Sequence, residues 1–136
     1  MRSVRALVQA LLICCAVSLS VPRTSADDIA ERAGKIHFSS IVVDTHDDTT
    51  QRFLSGGFDL GKRNSDGHVD IPRMREGGMN AIFFSIWIDG RTMGPAAVVK
   101  ALDQIDLVRE NVRKYPSDIV LARTAEDVRR AHAQGQ

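Results

Sequence analysis

The residues best suited to chemistry lie in one short segment, Val43 to Asp48, which holds an imidazole among three carboxylates. His46 and Asp48 are separated by one residue, and in an extended chain such residues point to the same side. Zinc accepts imidazole nitrogen and carboxylate oxygen, and a catalytic zinc keeps one position for water. A metal bound here would lower the pKa of its water towards ~7 and polarise a carbonyl group.

The position of this pair in the sequence matters as much as its spacing. Two residues never specify a metal site, so a bare His-x-Asp is first of all a polar loop with ordinary hydrogen bonds. Ser40 to Asp44, however, is a β-branched apolar run that predicts a buried strand. Functional residues in α/β barrels follow the carboxyl ends of strands. The metal site and the polar loop therefore both stay open at this point.

The remaining histidines are weaker candidates. His68 and Asp70 repeat the His-x-Asp spacing, but they follow a glycine-rich loop and precede Pro72. We expect Asp70 to cap a short helix that begins near Pro72, and His68 to be a loop residue. His37 and His132 are expected to be structural or solvated.

The rest of the sequence alternates between apolar runs typical of buried strands and segments with helical periodicity. Strands are predicted at 40–44, 80–88 and 118–122, and helices at 27–35, 49–54, 72–76, 95–115 and 125–134. The longest helix has an apolar face made of Val98, Leu102, Ile105, Val108 and Val112. This order predicts an α/β protein with a parallel sheet. Three strand units are too few to close a barrel, so we expect the opening portion of a larger α/β protein.

The first residues have the pattern of an export signal. Basic residues in Met1 to Arg5 precede an apolar run from Ala6 to Val21, and small residues end at Ala26. We expect residues 1–26 to be a signal peptide and residues 27–136 to be the mature, exported part. The alternative is an uncleaved signal that associates the protein with a membrane. Cleavage would remove both cysteines, which excludes a disulfide or a thiolate ligand from the mature chain.

Composition and motifs exclude several other classes of function. The 18 basic and 17 acidic residues nearly balance and form no basic run, so nucleic-acid binding is not expected. No glycine-rich phosphate loop ending in Lys-Ser/Thr follows a strand, and no Gly-x-Ser-x-Gly elbow is present.

Several segments, taken in order, resemble the membrane (renal) dipeptidases, the M19 metallopeptidases. Val43 to Asp48 resembles the Asp-Gly-His-Asn-Asp type opening of that family, and Gly67 to Gly78 resembles its second segment. Phe83 to Trp87 resembles its second-strand pattern, and the helix leading to Tyr115-Pro116 also fits. The resemblance runs from about Asp27 to the end of the sequence.

This resemblance implies a (β/α)8 TIM-type barrel with a binuclear zinc centre that hydrolyses dipeptides. By motif position, His46 and Asp48 would be ligands of one of two zinc ions, and Asp44 would be a neighbour that orients His46. In the family a bridging Glu follows a third strand, and we expect it beyond residue 136. The chain is then an incomplete N-terminal portion, inactive alone.

Two alternatives remain at this stage. The first is another amidohydrolase-like metal enzyme that uses His46 and Asp48 on a different substrate, such as a lactone or an amide. The second is an exported, non-catalytic remnant that binds a metal weakly or binds a partner.

Overall fold

A computed structural model describes residues 25–136, which contain five helices and two strands. The predicted signal peptide lies, apart from its last two residues, outside the described part of the chain. The helices are α1 (Ala26–Ser39), α2 (Thr50–Leu54), α3 (Ile71–Gly77), α4 (Pro95–Lys114) and α5 (Ala125–Ala133). The strands are β1 (Val43–Asp47) and β2 (Ala81–Phe84). These described residues therefore form a mixed α/β arrangement, as the sequence predicts.

Strands β1 and β2 form a two-stranded parallel sheet. Val43 is paired with Ala81, and Asp44 with Ile82, but Asp47 is paired with Phe84, so the register shifts between Asp44 and Asp47. The prediction of a strand at 40–44 is thus wrong by three residues. Backbone pairing with β2 defines the strand, and that pairing does not depend on whether its side chains are apolar.

The short helix α3 begins and ends as the sequence predicts. Asp70 is its N-cap, and one carboxylate oxygen accepts a hydrogen bond from the Arg73 backbone N–H at 2.9 Å. Pro72 lies in the first turn, where its missing N–H costs nothing. Gly78 ends the helix with a φ of 67°, a conformation that favours glycine. These local signals fix both ends of α3.

The last helix is capped by residues at its own start. The Thr124 hydroxyl accepts a hydrogen bond from the Asp127 N–H, and the Asp127 carboxylate accepts one from the Thr124 N–H. This reciprocal capping box satisfies two N–H groups that a helix start leaves unpaired. Helix α5 is therefore specified by residues within its own first turn.

The hydrophobic core lies where α2, α3 and α4 meet β2. Phe53, Leu60 and Ile71 are buried there, and partly buried apolar residues surround them. The predicted apolar face of α4 is only partly correct, because Val98 and Leu102 are exposed. The fully buried residue of α4 is Gln104, a polar side chain that the apolar periodicity could not reveal.

The predicted third strand at 118–122 is not formed in the described residues. The N–H groups of Asp118 and Ile119 donate to the Tyr115 carbonyl, which makes a turn after α4, and the residues that follow are irregular. Asp118 also pairs with Arg75 at 2.6 Å. A β-branched apolar run indicates a surface suited to a sheet, but a strand also needs a neighbour with which to pair.

The strands are less covered than the sequence predicts. Seven large apolar residues that were expected to be buried in strands are exposed, namely Ile41, Val43, Phe83, Ile86, Trp87, Val120 and Leu121. Five of them, Ile41, Val43, Phe83, Val120 and Leu121, line one cavity of ≈ 930 Å³. We call this set the open apolar wall. The described residues supply no layer that covers it.

The chain divides into two units, Met1–Lys35 and Ile36–Gln136. In the first unit the described residues are helical from Ala26, and Lys35 forms an ion pair with Glu31 at 2.6 Å one turn away. The second unit contains both strands and the core. Among the residues described, no helix is long and apolar enough to cross a membrane.

Candidate metal centre

His46 and Asp48 lie together at the carboxyl end of β1. His46 is the penultimate residue of β1, which ends at Asp47, and Asp48 is the first residue beyond the strand. The His46 Nε2 and Asp48 Oδ1 atoms are 3.5 Å apart, and both side chains are more than half exposed. This separation is long for a hydrogen bond, but it places a nitrogen and an oxygen donor side by side and open to solvent. The prediction that both side chains point to the same side is confirmed.

Asp44 contacts the same segment through the backbone. Its Oδ1 accepts a hydrogen bond from the His46 backbone N–H at 2.9 Å. The register shift of β1 occurs between Asp44 and Asp47, so this bond lies in the irregular part of the strand. Irregularities of this kind re-aim side chains. Asp44 thus binds the backbone of His46 and does not bind its imidazole ring.

The turn after the strand is fixed by Asp47. Its Oδ1 accepts a hydrogen bond from the Thr49 N–H at 2.9 Å, and its carbonyl accepts one from the Ser85 N–H at 2.8 Å. Asp47 therefore ties the turn to the segment that follows β2. No role was predicted for Asp47 from the sequence, and its side chain has a structural role in this turn.

Two residues of α2 continue this attachment. The buried Thr50 donates its hydroxyl to the Ser85 carbonyl at 2.5 Å, and the Gln51 amide donates to the Trp87 carbonyl at 2.6 Å. The buried Gln104 of α4 also donates to the Trp87 carbonyl, at 2.9 Å. These three residues were not predicted from the sequence. Gln104 could be noticed there only as a polar residue one turn before the apolar Val108 in the predicted helix.

In the second His-x-Asp pair the two side chains lie in different surroundings. His68 is exposed in the loop, whereas Asp70 is fully buried beneath it as the cap of α3. Asp70 also accepts hydrogen bonds from the Arg73 Nε at 2.8 Å and from the Asn64 N–H at 3.0 Å. Burial raises the pKa of Asp70, but these donors outweigh it and hold the pKa at about 2. Both carboxylate oxygens of Asp70 thus accept hydrogen bonds that hold the loop and α3 together.

The other histidine near the strands is structural as predicted. The His37 Nε2 lies 2.6 Å from the Gly77 carbonyl and the ring packs edge-on against Phe38. Phe38 in turn leaves no room for a side chain at Gly78, where a Cβ atom would approach the ring to 2.9 Å. His37 therefore joins the end of α1 to the end of α3.

The donor types at His46 and Asp48 suit zinc, but their number is incomplete. Imidazole nitrogen and carboxylate oxygen are zinc ligands, and a catalytic zinc has three protein ligands. Within residues 25–136, no group of three or more His, Cys, Asp or Glu side chains is placed to hold a metal ion. The pair can supply one side of a metal site, and further donors are required.

Comparison with known proteins assigns the class of this fold. The sequence profile of the membrane dipeptidase family, Peptidase family M19, matches residues 30–136. The match includes both strands, the His46–Asp48 pair and the core. The chain therefore belongs to the membrane dipeptidase family, and the resemblance drawn from the motifs is confirmed.

Two curated relatives carry the name Dipeptidase 3. The protein from Macaca fascicularis is 32% identical over 108 residues, which cover 76% of this chain and 22% of that protein. The protein from Homo sapiens is 33% identical over 104 residues, which cover 73% of this chain and 21% of that protein. The matched region thus spans about a fifth of the length of these relatives.

Proposed function

We propose that this chain forms the opening β/α units of a (β/α)8 barrel in a zinc-dependent dipeptidase. The family match over residues 30–136 and the parallel pairing of β1 with β2 support this proposal. Parallel strands joined through helices are the repeating unit of such barrels. Residues 118–122 would then be the third strand, and the open apolar wall would be covered by the rest of the barrel.

The observation that carries the proposal is the place of His46 and Asp48. They lie side by side at the carboxyl end of a barrel-type strand, where α/β barrels keep their active sites, and their donor atoms are exposed. In the proposal they are ligands of one of two zinc ions. The remaining donors, a bridging Glu among them, are not supplied by the described residues.

Bound zinc supplies an acidic water and a polarised carbonyl group to the reaction. The residues of this chain supply position. Asp44 fixes the His46 backbone, and Asp47 fixes the turn that carries Asp48, so the two residues are held beside each other at the end of β1. Ligands whose orientation is set by neighbouring hydrogen bonds lose less freedom when a metal binds.

The proposed substrate is a dipeptide, as the names of the relatives suggest. The proposed location is outside the cytoplasm, either secreted or associated with a membrane, since the first 26 residues have the pattern of an export signal. No feature of the described residues favours a lactone or another amide over a dipeptide.

The test of this function is an assay of the intact gene product with added zinc on a panel of dipeptides and lactones. We expect hydrolysis of dipeptides, loss of that activity in His46→Ala, and unchanged activity in His68→Ala, which removes an exposed imidazole from the other His-x-Asp pair. Hydrolysis of lactones alone would overturn the dipeptidase proposal. Equal activity in wild type and His46→Ala would remove His46 from the site.

A further inference from the structure

The chain leaves β2 at Phe84 but remains tied to the neighbouring segment for three more residues. The Ser85 N–H still donates to the Asp47 carbonyl, as in a continuing ladder. The next residues of the first strand, however, turn into α2 at Thr50. The carbonyls of Ser85 and Trp87 consequently have no backbone donor opposite them. Side chains supply the donors that a continuing strand would have provided.

Two consecutive residues of α2 replace it. The Thr50 hydroxyl donates to the Ser85 carbonyl at 2.5 Å, and the Gln51 amide donates to the Trp87 carbonyl at 2.6 Å. Only Asp48 and Thr49 lie between the last strand residue, Asp47, and this pair of anchors. The candidate ligand Asp48 is therefore held from both sides against the segment after β2.

Gln104 completes this arrangement from the opposite side. Its side chain is fully buried, its Nε2 donates to the Trp87 carbonyl at 2.9 Å, and its Oε1 accepts from the Gln51 Nε2 at 3.1 Å. It is the fully buried side chain of a helix whose other polar residues are largely exposed. A buried amide is retained only where its hydrogen bonds are satisfied, and here they join three separate elements.

We propose that Gln104 is a positioning residue of the candidate metal centre. It fixes the Gln51 amide and the Trp87 carbonyl, and through them the turn from Asp47 to Gln51 that carries Asp48. This role rests on the proposed function, because positioning Asp48 matters to a metal only if Asp48 is a ligand. The effect on the turn itself does not depend on metal binding and is measured separately below.

The test is the isosteric variant Gln104→Met in the intact gene product. Methionine has a similar length and helix propensity, so the variant removes the amide and keeps the packing. The control is Asn111→Leu, which removes an amide from the same helix. The Asn111 side chain bonds only to Leu107 of its own helix, at 2.9 Å, and does not reach the turn.

The first readout is metal binding, measured by the visible absorption of added cobalt(II) and its displacement by zinc. We expect Gln104→Met to weaken zinc binding about fivefold and to change the cobalt band, because the hydrogen bonds to the Trp87 carbonyl and from the Gln51 amide are both lost. Asn111→Leu should match the wild type in both. Wild-type affinity in Gln104→Met, or equal weakening in both variants, would overturn the proposal.

The second readout is amide hydrogen exchange without metal. In Gln104→Met, the N–H groups of Gln51 and Ser85 should exchange about fivefold faster, while that of Met74 in α3 should not change. Unchanged exchange at Gln51 and Ser85 would overturn the positioning role. If the intact wild-type gene product binds no metal, the proposed function fails, and the exchange result alone decides the role of Gln104.

Discussion

The core and the open apolar wall are built from similar residues but differ in what covers them. In the core, Phe53 and Leu60 are 8% and 1% exposed. In the open apolar wall, Phe83 is 65% exposed, although its neighbour Phe84 packs against the core. The two phenylalanines lie on opposite faces of one strand, so the strand is covered on one face only.

This difference separates what the local sequence determines from what a neighbouring layer must provide. The core is closed by α2, α3 and α4, and each of these helices lies within residues 50–114. The open apolar wall would be closed by strands and helices that the described residues do not contain. The helices around the core are therefore set by nearby sequence, whereas the cavity of ≈ 930 Å³ would be the interface for the rest of the proposed barrel.

The largest expected difference is between removing an aromatic ring from the core and removing one from the open apolar wall. Phe53→Ala should lower the free energy of unfolding by about 3–5 kcal/mol, or unfold the chain, because it leaves a cavity in the core. Phe83→Ala should change it by at most about 0.5 kcal/mol, since that ring is already exposed. Urea unfolding of both variants measures the difference. Equal losses of stability would show that Phe83 is packed as well as Phe53, and this would contradict the difference between the two regions.

A smaller effect should come from filling space at a glycine. A Cβ atom on Gly61 would lie 2.4 Å from the Tyr115 ring, whereas a Cβ atom on Gly90 would meet nothing within 4 Å. Gly61→Ala should destabilise the chain by about 1–3 kcal/mol through overpacking. Gly90→Ala should stay within about 0.5 kcal/mol of the wild type.

Thermal unfolding of the two glycine variants is the measurement. Tyr115 also donates its hydroxyl to Asp59, so a shift of the ring breaks a hydrogen bond as well as a contact. A Gly61→Ala variant as stable as Gly90→Ala would mean that the loop at Gly61 is not held against α4.

The smallest effect concerns pH. The hydrogen bond from Tyr115, with further bonds from Gly61 and two lysines, holds the pKa of Asp59 at about 2, and the pKa of Asp70 is also about 2. Both lie below the ordinary value of 3.8. A carboxyl with a lowered folded-state pKa stabilises the fold above its unfolded pKa, and this stability is lost as pH falls.

We therefore expect the free energy of unfolding to fall between pH 3.8 and about 2. In Tyr115→Phe the fall should be shallower, because the Asp59 pKa moves back towards its ordinary value while Asp70 is unchanged. Unfolding curves across this range measure the slope. The same slope in wild type and Tyr115→Phe would contradict the assigned cause.

Local signals in the sequence predicted those parts of the structure that local contacts determine. The cap at Asp70 and the helix that begins at Pro95 are both present because each depends on residues within a turn or two. The candidate pair His46 and Asp48 was found from its spacing and its place after an apolar run.

The errors occur where a distant neighbour decides. The bounds of β1 depend on pairing with β2, and residues 118–122 lack a partner strand among the described residues. Gln104 was missed because its partners, Gln51 and Trp87, are 53 and 17 residues away in the chain. Periodicity identifies apolar faces, but it does not identify a polar residue buried by long-range hydrogen bonds.

The central claim is that His46 and Asp48 bind zinc, and a zinc titration of the intact gene product tests it most directly. Wild type, His46→Ala and His68→Ala are compared, since the last removes an exposed histidine with the same His-x-Asp spacing. We expect His46→Ala to weaken zinc binding by at least about 10-fold, because loss of a group that only supports a ligand already costs about that much. His68→Ala should leave zinc binding unchanged. Wild-type affinity in His46→Ala, or equal weakening in both variants, would contradict the claim.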